Sequence, residues 1–141
     1  VFLSTCFMKG EILGILLNGD KLPEIKWRAR SAPKMPSPIL VDDELYLVND
    51  AGIASCLNAK TGELHWQERL HAEFSASPTY ADGKIYFCDR NGVTHVVKPG
   101  KSLKVIAKNE LDGTAHMASF APYGKAFLIR TNEALYRVES Q

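Results

Sequence analysis

Two stretches of this chain, lying forty residues apart, superimpose without a gap. Ser37-Pro38 falls on Ser77-Pro78, Asp42 on Asp82, Tyr46 on Tyr86 and Gly52 on Gly92. Leu45 matches Ile85 in kind, and Ile53 matches Val93. A weaker third copy lies about 41 residues further on, with Gly124-Lys125-Ala126-Phe127-Leu128 on Gly83-Lys84-Ile85-Tyr86-Phe87. An earlier partial copy ends at Trp27, 39 residues before Trp66. A unit this short cannot bury an apolar face by itself. It must stack on its neighbours, and that restricts the chain to repeat architectures.

The local signals inside one unit agree with each other. Ser-Pro opens a strand, where the missing proline N–H is tolerated. Leu45–Asn49 and Lys84–Cys88 are aliphatic and aromatic runs of strand length. Asp42-Asp43, Asp82-Gly83 and Asn91-Gly92 are tight-turn pairs suited to positive φ. Lys60-Thr61-Gly62-Glu63 is another turn, with Gly62 free to take the left-handed position. One unit therefore reads as strands over Pro38–Val41, Leu45–Asn49, Ile53–Leu57 and Leu64–Arg69. The next reads as Pro78–Ala81, Lys84–Cys88, Val93–Val97 and Leu103–Lys108. Further strands are expected at Phe2–Phe7, Ile12–Leu17, Glu24–Arg28 and Ala134–Val138. No segment has a capped helical period. Four short strands in a period of about 40 residues are the mark of a β-propeller blade. The expectation is an all-β chain of about three and a half four-stranded antiparallel blades: a partial one at 1–30, full ones at 37–70 and 77–111, and a partial one at 116–138. The first unit lacks an opening strand and the last a closing one, so the chain is expected to be part of a longer propeller or a self-associating half-ring.

Composition excludes several function classes. The formal net charge is +1, so no strong positive field favours nucleic acid. The apolar run Ile12–Leu17 is far below the roughly 18 residues of a transmembrane span. The N-terminus has no basic region followed by a long apolar core, so it is not an intact signal peptide. Cys6, Cys56 and Cys88 are far apart, with no CxxC pair to suggest zinc. They read as buried small apolar residues, with a disulfide between two of them as the alternative.

The segment Cys56-Leu57-Asn58-Ala59-Lys60-Thr61-Gly62-Glu63-Leu64-His65-Trp66 resembles the tryptophan-docking motif of pyrroloquinoline-quinone (PQQ) type propeller repeats. Thr61, Gly62, Glu63 and Trp66 match that pattern. Asn58 stands where the family usually has Asp, and Cys56 where it usually has Ala. The resemblance implies that Trp66, and by analogy Trp27, packs between adjacent blades. In the second full unit Pro99-Gly100 replaces the Thr-Gly turn, and Ile106 lies near the Trp position. The tail from Asn109 to Val138 is similar to the C-terminal end of bacterial proteins of this group. Most proteins carrying these repeats are binding or scaffold proteins outside the cytoplasm, and a minority are quinoprotein dehydrogenases.

The residues themselves support no catalytic site. A quinoprotein site would need calcium held by Glu, Asn and Asp, a catalytic Asp, a Trp beneath the ring and often a vicinal disulfide, and no adjacent cysteines exist here. Asp42, Asp43, Asp50, Asp82 and Asp89 all fall at turns or strand ends, where turn formation explains them. His65, His71, His95 and His116 have no metal-ligand spacing, and His65 and His95 are expected to point out of a pleat. Asp89-Arg90-Asn91-Gly92 lacks the later ligands of a calcium loop. Tyr46, Tyr86, Phe87, Phe127 and Tyr136 recur at strand spacing and read as core. Lys98, Lys101, Lys104 and Lys108 read as protection of an edge strand.

The expected function is a non-catalytic scaffold in the periplasm or elsewhere outside the cytoplasm. It binds a protein or other ligand, or the rest of its own propeller, and needs no catalytic, cofactor or metal residue. The alternatives are part of a PQQ-dependent quinoprotein dehydrogenase, or a structural sensor module. Expressed alone, the chain is expected to dimerise, aggregate or be partly unfolded. Sedimentation at low concentration checks this, and a compact monomer with sharp two-state unfolding would contradict it.

Overall fold

The computed structural model describes residues 1–5, 10–30, 32–111 and 117–139. Fourteen strands and no helix occur among them: β1 Phe2–Thr5, β2 Glu11–Leu16, β3 Glu24–Arg30, β4 Ile39–Val41, β5 Glu44–Val48, β6 Ile53–Asn58, β7 Leu64–Arg69, β8 Thr79–Ala81, β9 Lys84–Cys88, β10 Val93–Lys98, β11 Lys104–Glu110, β12 Ala121–Tyr123, β13 Ala126–Arg130 and β14 Leu135–Glu139. They form four antiparallel sheets in chain order: β1-β2-β3, β4-β5-β6-β7, β8-β9-β10-β11 and β12-β13-β14. This is a partial β-propeller, with each sheet a blade. The end of the Phe2–Phe7 strand, Cys6 and His116 lie outside the described residues. Ala121–Tyr123 carries no run that predicts it; Pro122 sits within an edge strand, where its missing donor is harmless.

The sharp turns follow their sequence. Asp82 and Gly83 both take positive φ, 48° and 67°, as a two-residue hairpin turn requires. Asp42 takes φ 52° in the equivalent turn.

The second strand of a blade is apolar on both faces because both faces are covered. Leu45 and Leu47 of β5 pack with Ile12 and Leu57 between the first and second blades. Tyr46 and Val48, one residue along, pack with Phe74, Ile85, Phe87 and Val97 between the second and third. Cys88 of β9 turns the other way, to Phe120 and Ile129 of the fourth blade. Cys56 and Cys88 are free and buried thiols, and burial pushes each up to about 11, so neither supplies thiolate at neutral pH.

Each of the first three blades has a register shift in the pairing of its last two strands, β2–β3 after Gly14, β6–β7 after Cys56 and β10–β11 after Val96. The residues paired with Gly14, Cys56 and Val96 are Trp27, Trp66 and Ala107, each next to the bulged residue on its own strand. Ala107 therefore occupies the tryptophan position of the third blade, and Ile106 is the extra bulged residue, exposed to solvent. The cross-strand pairs exchange volume: Gly14 with Trp27, Cys56 with Trp66, Val96 with Ala107. A Cβ on Gly14 would lie 2.2 Å from the Trp27 ring, so the indole needs a bare backbone beneath it.

Both indoles reach the next blade. Trp27 donates Nε1–H to the Ala59 carbonyl at 3.0 Å. Its ring covers Gly62, where a Cβ would come within 2.6 Å of it and where φ is already 74°. Trp66 donates Nε1–H to the Gly100 carbonyl at 3.0 Å, and the Gly100 N–H donates to the Tyr46 hydroxyl at 2.8 Å. Burial raises the Tyr46 pKa well above that of an ordinary phenol, so the hydroxyl stays protonated. Asn58 shapes the acceptor turn, its Oδ1 accepting from the N–H of Lys60 and Thr61 at 2.9 and 3.1 Å. Thr61 Oγ1 accepts from Glu63 N–H at 3.3 Å.

Replacing Trp66 with Ala is expected to cost about 3–5 kcal/mol, and replacing Tyr46 with Phe about 0.5–1.5 kcal/mol. Denaturant melts check both; a loss under about 1 kcal/mol for Trp66→Ala would remove it as a contact that holds the blades together.

Candidate binding surface

At the opposite end of the blades from the indole contacts, the turns between second and third strands are built alike. Asn49 Oδ1 accepts from the N–H groups of Ala51 and Ile53 at 3.1 and 2.9 Å. Asp89 Oδ1 accepts from Asn91 and Val93 at 2.8 and 3.0 Å. Thr131 Oγ1 accepts from Glu133 and Ala134 at 3.2 and 3.0 Å. Three different side chains thus play the same part, occupying turn donors that would otherwise lack partners. Asp50 Oδ2 accepts from the Lys34 N–H at 2.7 Å.

The links between blades emerge at this same end, and serines tie them together. Ser37 N–H donates to Ser77 Oγ at 2.9 Å, and Ser77 N–H donates to Ser119 Oγ at 2.9 Å. Each link uses a serine two residues before the first strand of its blade, and in two of them that serine precedes a proline. Thr79 extends the ladder, donating its hydroxyl to the Phe120 carbonyl at 3.2 Å.

Between the second and third blades this end opens into a groove of about 560 Å³. Its walls are the β5–β6 turn, the link after β7, and the β9–β10 turn. The link is fixed on both sides. Leu70 N–H donates to the Gly52 carbonyl at 2.8 Å, Phe74 N–H to the Asp50 carbonyl at 3.1 Å, and Arg90 N–H to the Glu73 carbonyl at 2.8 Å. Gly52 is buried with φ 80°, and a Cβ there would meet the Ala72 carbonyl at 2.1 Å. His71 itself takes φ 57°, a sparsely populated conformation for a residue with a side chain, and this turns the chain sharply after β7. Arg69 donates to the Ala51 carbonyl at 3.2 Å. Arg90 donates Nε–H to Ser75 Oγ at 2.8 Å and reaches the Glu73 carboxylate at 3.1 Å. His71, Arg90 and Asn91 are noted in the sequence for other reasons, but no motif unites a strand end, a link and a turn into this groove.

His71 is exposed in the groove, while His95 on β10 is buried. No group of three His, Cys, Asp or Glu side chains placed to hold a metal ion occurs among the described residues. Lys104 and Lys108 lie on β11, the exposed edge of its sheet.

The His95 ring lies 6.1 Å from that of Phe74, and its Nε2 is 3.7 Å from Asp89 Oδ2. Neither ring nitrogen has a hydrogen-bond partner among the described residues. Burial lowers the His95 pKa, the Lys108 charge lowers it further, and Asp89 opposes both without reversing them. The folded imidazole therefore titrates below the value of about 6.5 that it has when unfolded. Under acid conditions the unfolded chain binds the extra proton, so this contribution is full above about pH 6.5 and is lost as pH falls toward the folded pKa. The urea midpoint is expected to drop between about pH 7 and about pH 5. His95→Gln is expected to flatten that drop, and an unchanged slope in the variant would refute the assignment.

Comparison with known proteins supports the same architecture. No curated protein sequence matches the chain. BamB from Moraxella catarrhalis is similar in structure over 76% of this chain and 31% of its own, with 13% identity and a TM-score of 0.62. A europium-containing methanol dehydrogenase is similar over 80% of this chain and 23% of its own, with 12% identity and a TM-score of 0.63. A quinohemoprotein alcohol dehydrogenase from Pseudomonas putida HK5 is similar over 70% of this chain and 16% of its own, with 14% identity and a TM-score of 0.58. The chain thus spans less than a third of each of these proteins, and at such identities they show the fold alone. The sequence profile of the outer membrane protein assembly factor BamB matches residues 17–116. With the profile covering most of its length, this chain belongs to the PQQ-type repeat family of the outer membrane protein assembly factor BamB.

Proposed function

We propose that this chain is a non-catalytic propeller scaffold that binds a protein partner outside the cytoplasm through the loop end of its blades. One observation carries the reading. The recurring polar side chains are used by the fold itself, as turn acceptors at Asn49, Asp89 and Thr131 and as the ladder of Ser37, Ser77 and Ser119. A charged groove between rigidly tied walls opens at that end. Such a surface suits recognition, since loops held by a stiff scaffold are where binding residues concentrate. Membership of a family described as an assembly factor supports a protein partner and an extracytoplasmic site. No helix among the described residues is long and apolar enough to cross a membrane. Trp27 and Trp66, with the Thr61-Gly62-Glu63 turn, serve as docking residues between blades.

The fold similarity to a methanol dehydrogenase and a quinohemoprotein alcohol dehydrogenase favours a second reading, part of a quinoprotein. The donor set among the described residues does not fit a PQQ and calcium site. The acids lie apart, Asp89 is consumed in a turn with its side chain only 4% exposed, and both indole N–H groups bond backbone carbonyls of the next blade. Equilibrium dialysis of the chain with PQQ and Ca²⁺ is expected to recover no stoichiometric complex. Binding at about micromolar affinity would overturn the scaffold reading and establish the quinoprotein one.

A further inference from the structure

We propose that the groove between the second and third blades takes a short acidic peptide segment, with Arg69 and Arg90 as its carboxylate receptors. The proposal deepens the scaffold reading, on which it rests, by naming the chemistry of the partner.

The charge count on the groove wall is uneven. Arg69, His71, Glu73 and Arg90 line it, giving two guanidiniums against one carboxylate. Glu73 is already committed to Arg90, at 3.1 Å. Arg69 has no carboxylate partner among the described residues; its contact is the Ala51 carbonyl, a neutral acceptor. The chain as a whole carries only +1, so this is a local excess and not a general basic surface. A guanidinium offers five donors in a planar fork, and a carboxylate is the acceptor that matches two of them at once.

The receptors are also held in place. Arg90 is anchored at Nε by Ser75 Oγ, which leaves the far edge of its fork for a ligand. Ser75 is buried, and the backbone of the link is bonded to both flanking turns, so the wall need not reorganise on binding. A space of about 560 Å³ has room for a few residues of extended chain and not for a folded domain. Exposed guanidiniums set into a groove of that size select an acidic segment, presented from the surface or terminus of the partner.

The test uses the 141-residue chain as it stands. Fluorescein-labelled hexaglutamate, a Ser-Gly peptide of equal length and a labelled oligothymidylate of equal charge are titrated and followed by anisotropy. Saturable binding of hexaglutamate alone, weakened by added salt, is expected. Arg69→Gln, an exposed substitution away from the core, is expected to weaken it about tenfold. Glu73→Gln, which releases Arg90, is expected to tighten it. Circular dichroism melts confirm that both variants fold. Absence of saturation, equal affinity for the Ser-Gly peptide, tighter binding of the oligothymidylate, or an unchanged affinity in both variants would each overturn the proposal. Those outcomes leave the scaffold reading standing, because that reading fails only on PQQ binding in the dialysis experiment.

Discussion

Burial of the second strand of a blade on both faces is the constraint from which the rest follows. Leu45 and Leu47 face one neighbour while Tyr46 and Val48 face the other, and all four are almost wholly buried. A strand with four successive buried apolar residues has no face to offer water there, so no single blade is stable by itself. Each blade contributes half of two interfaces, and stability is shared between neighbours as in other repeat proteins.

Apolar faces alone would let neighbouring blades slide. Directional contacts at the two ends prevent this. At one end an indole N–H bonds a carbonyl in the next blade, twice, at 3.0 Å each time. At the other end serine hydroxyls accept from backbone N–H groups of the preceding blade. The Trp66–Gly100–Tyr46 arrangement is the tightest of these, since both the N–H and the C=O of one glycine are held by two side chains of the adjacent blade. The third blade departs from the pattern: Ala107 stands where the indole would be, and Val96 fills the volume across from it. Cross-strand volume is preserved there while the bond to the next blade is given up.

This division of labour leaves the groove side chains with local bonds alone, Arg69 to the Ala51 carbonyl and Arg90 to Ser75 and Glu73. The β5–β6 and β9–β10 turns are shaped by their own Asn49 and Asp89, and the link after β7 by backbone bonds to both. Arg69, His71 and Glu73 are therefore exposed on a rigid frame and contribute little to holding it together. Substitution at such positions can change what is bound without endangering the blades, which is how one propeller frame comes to serve many partners.

Much of the fold was legible in the sequence because it rests on local rules repeated in register. The forty-residue offset, the Asp82-Gly83 turn and the continuous apolar run through Tyr46 each specify strand and turn from neighbouring residues alone. The Thr61-Gly62-Glu63 turn and the two tryptophans were singled out by resemblance to a family motif, not by a local rule. The bulge was not, since it depends on cross-strand register, and so the sequence pointed to Ile106 where register places Ala107. His95 looked like a residue facing out of a pleat, but its surroundings come from Phe74 on the link and Asp89 at the turn. The groove, too, belongs wholly to tertiary structure. Arg69, Glu73 and Arg90 sit on a strand end, a link and a turn, and only the stacking of two blades makes them one surface. Repetition along the chain determined the blades; contact between blades, which no local pattern encodes, decided which side chains share a site.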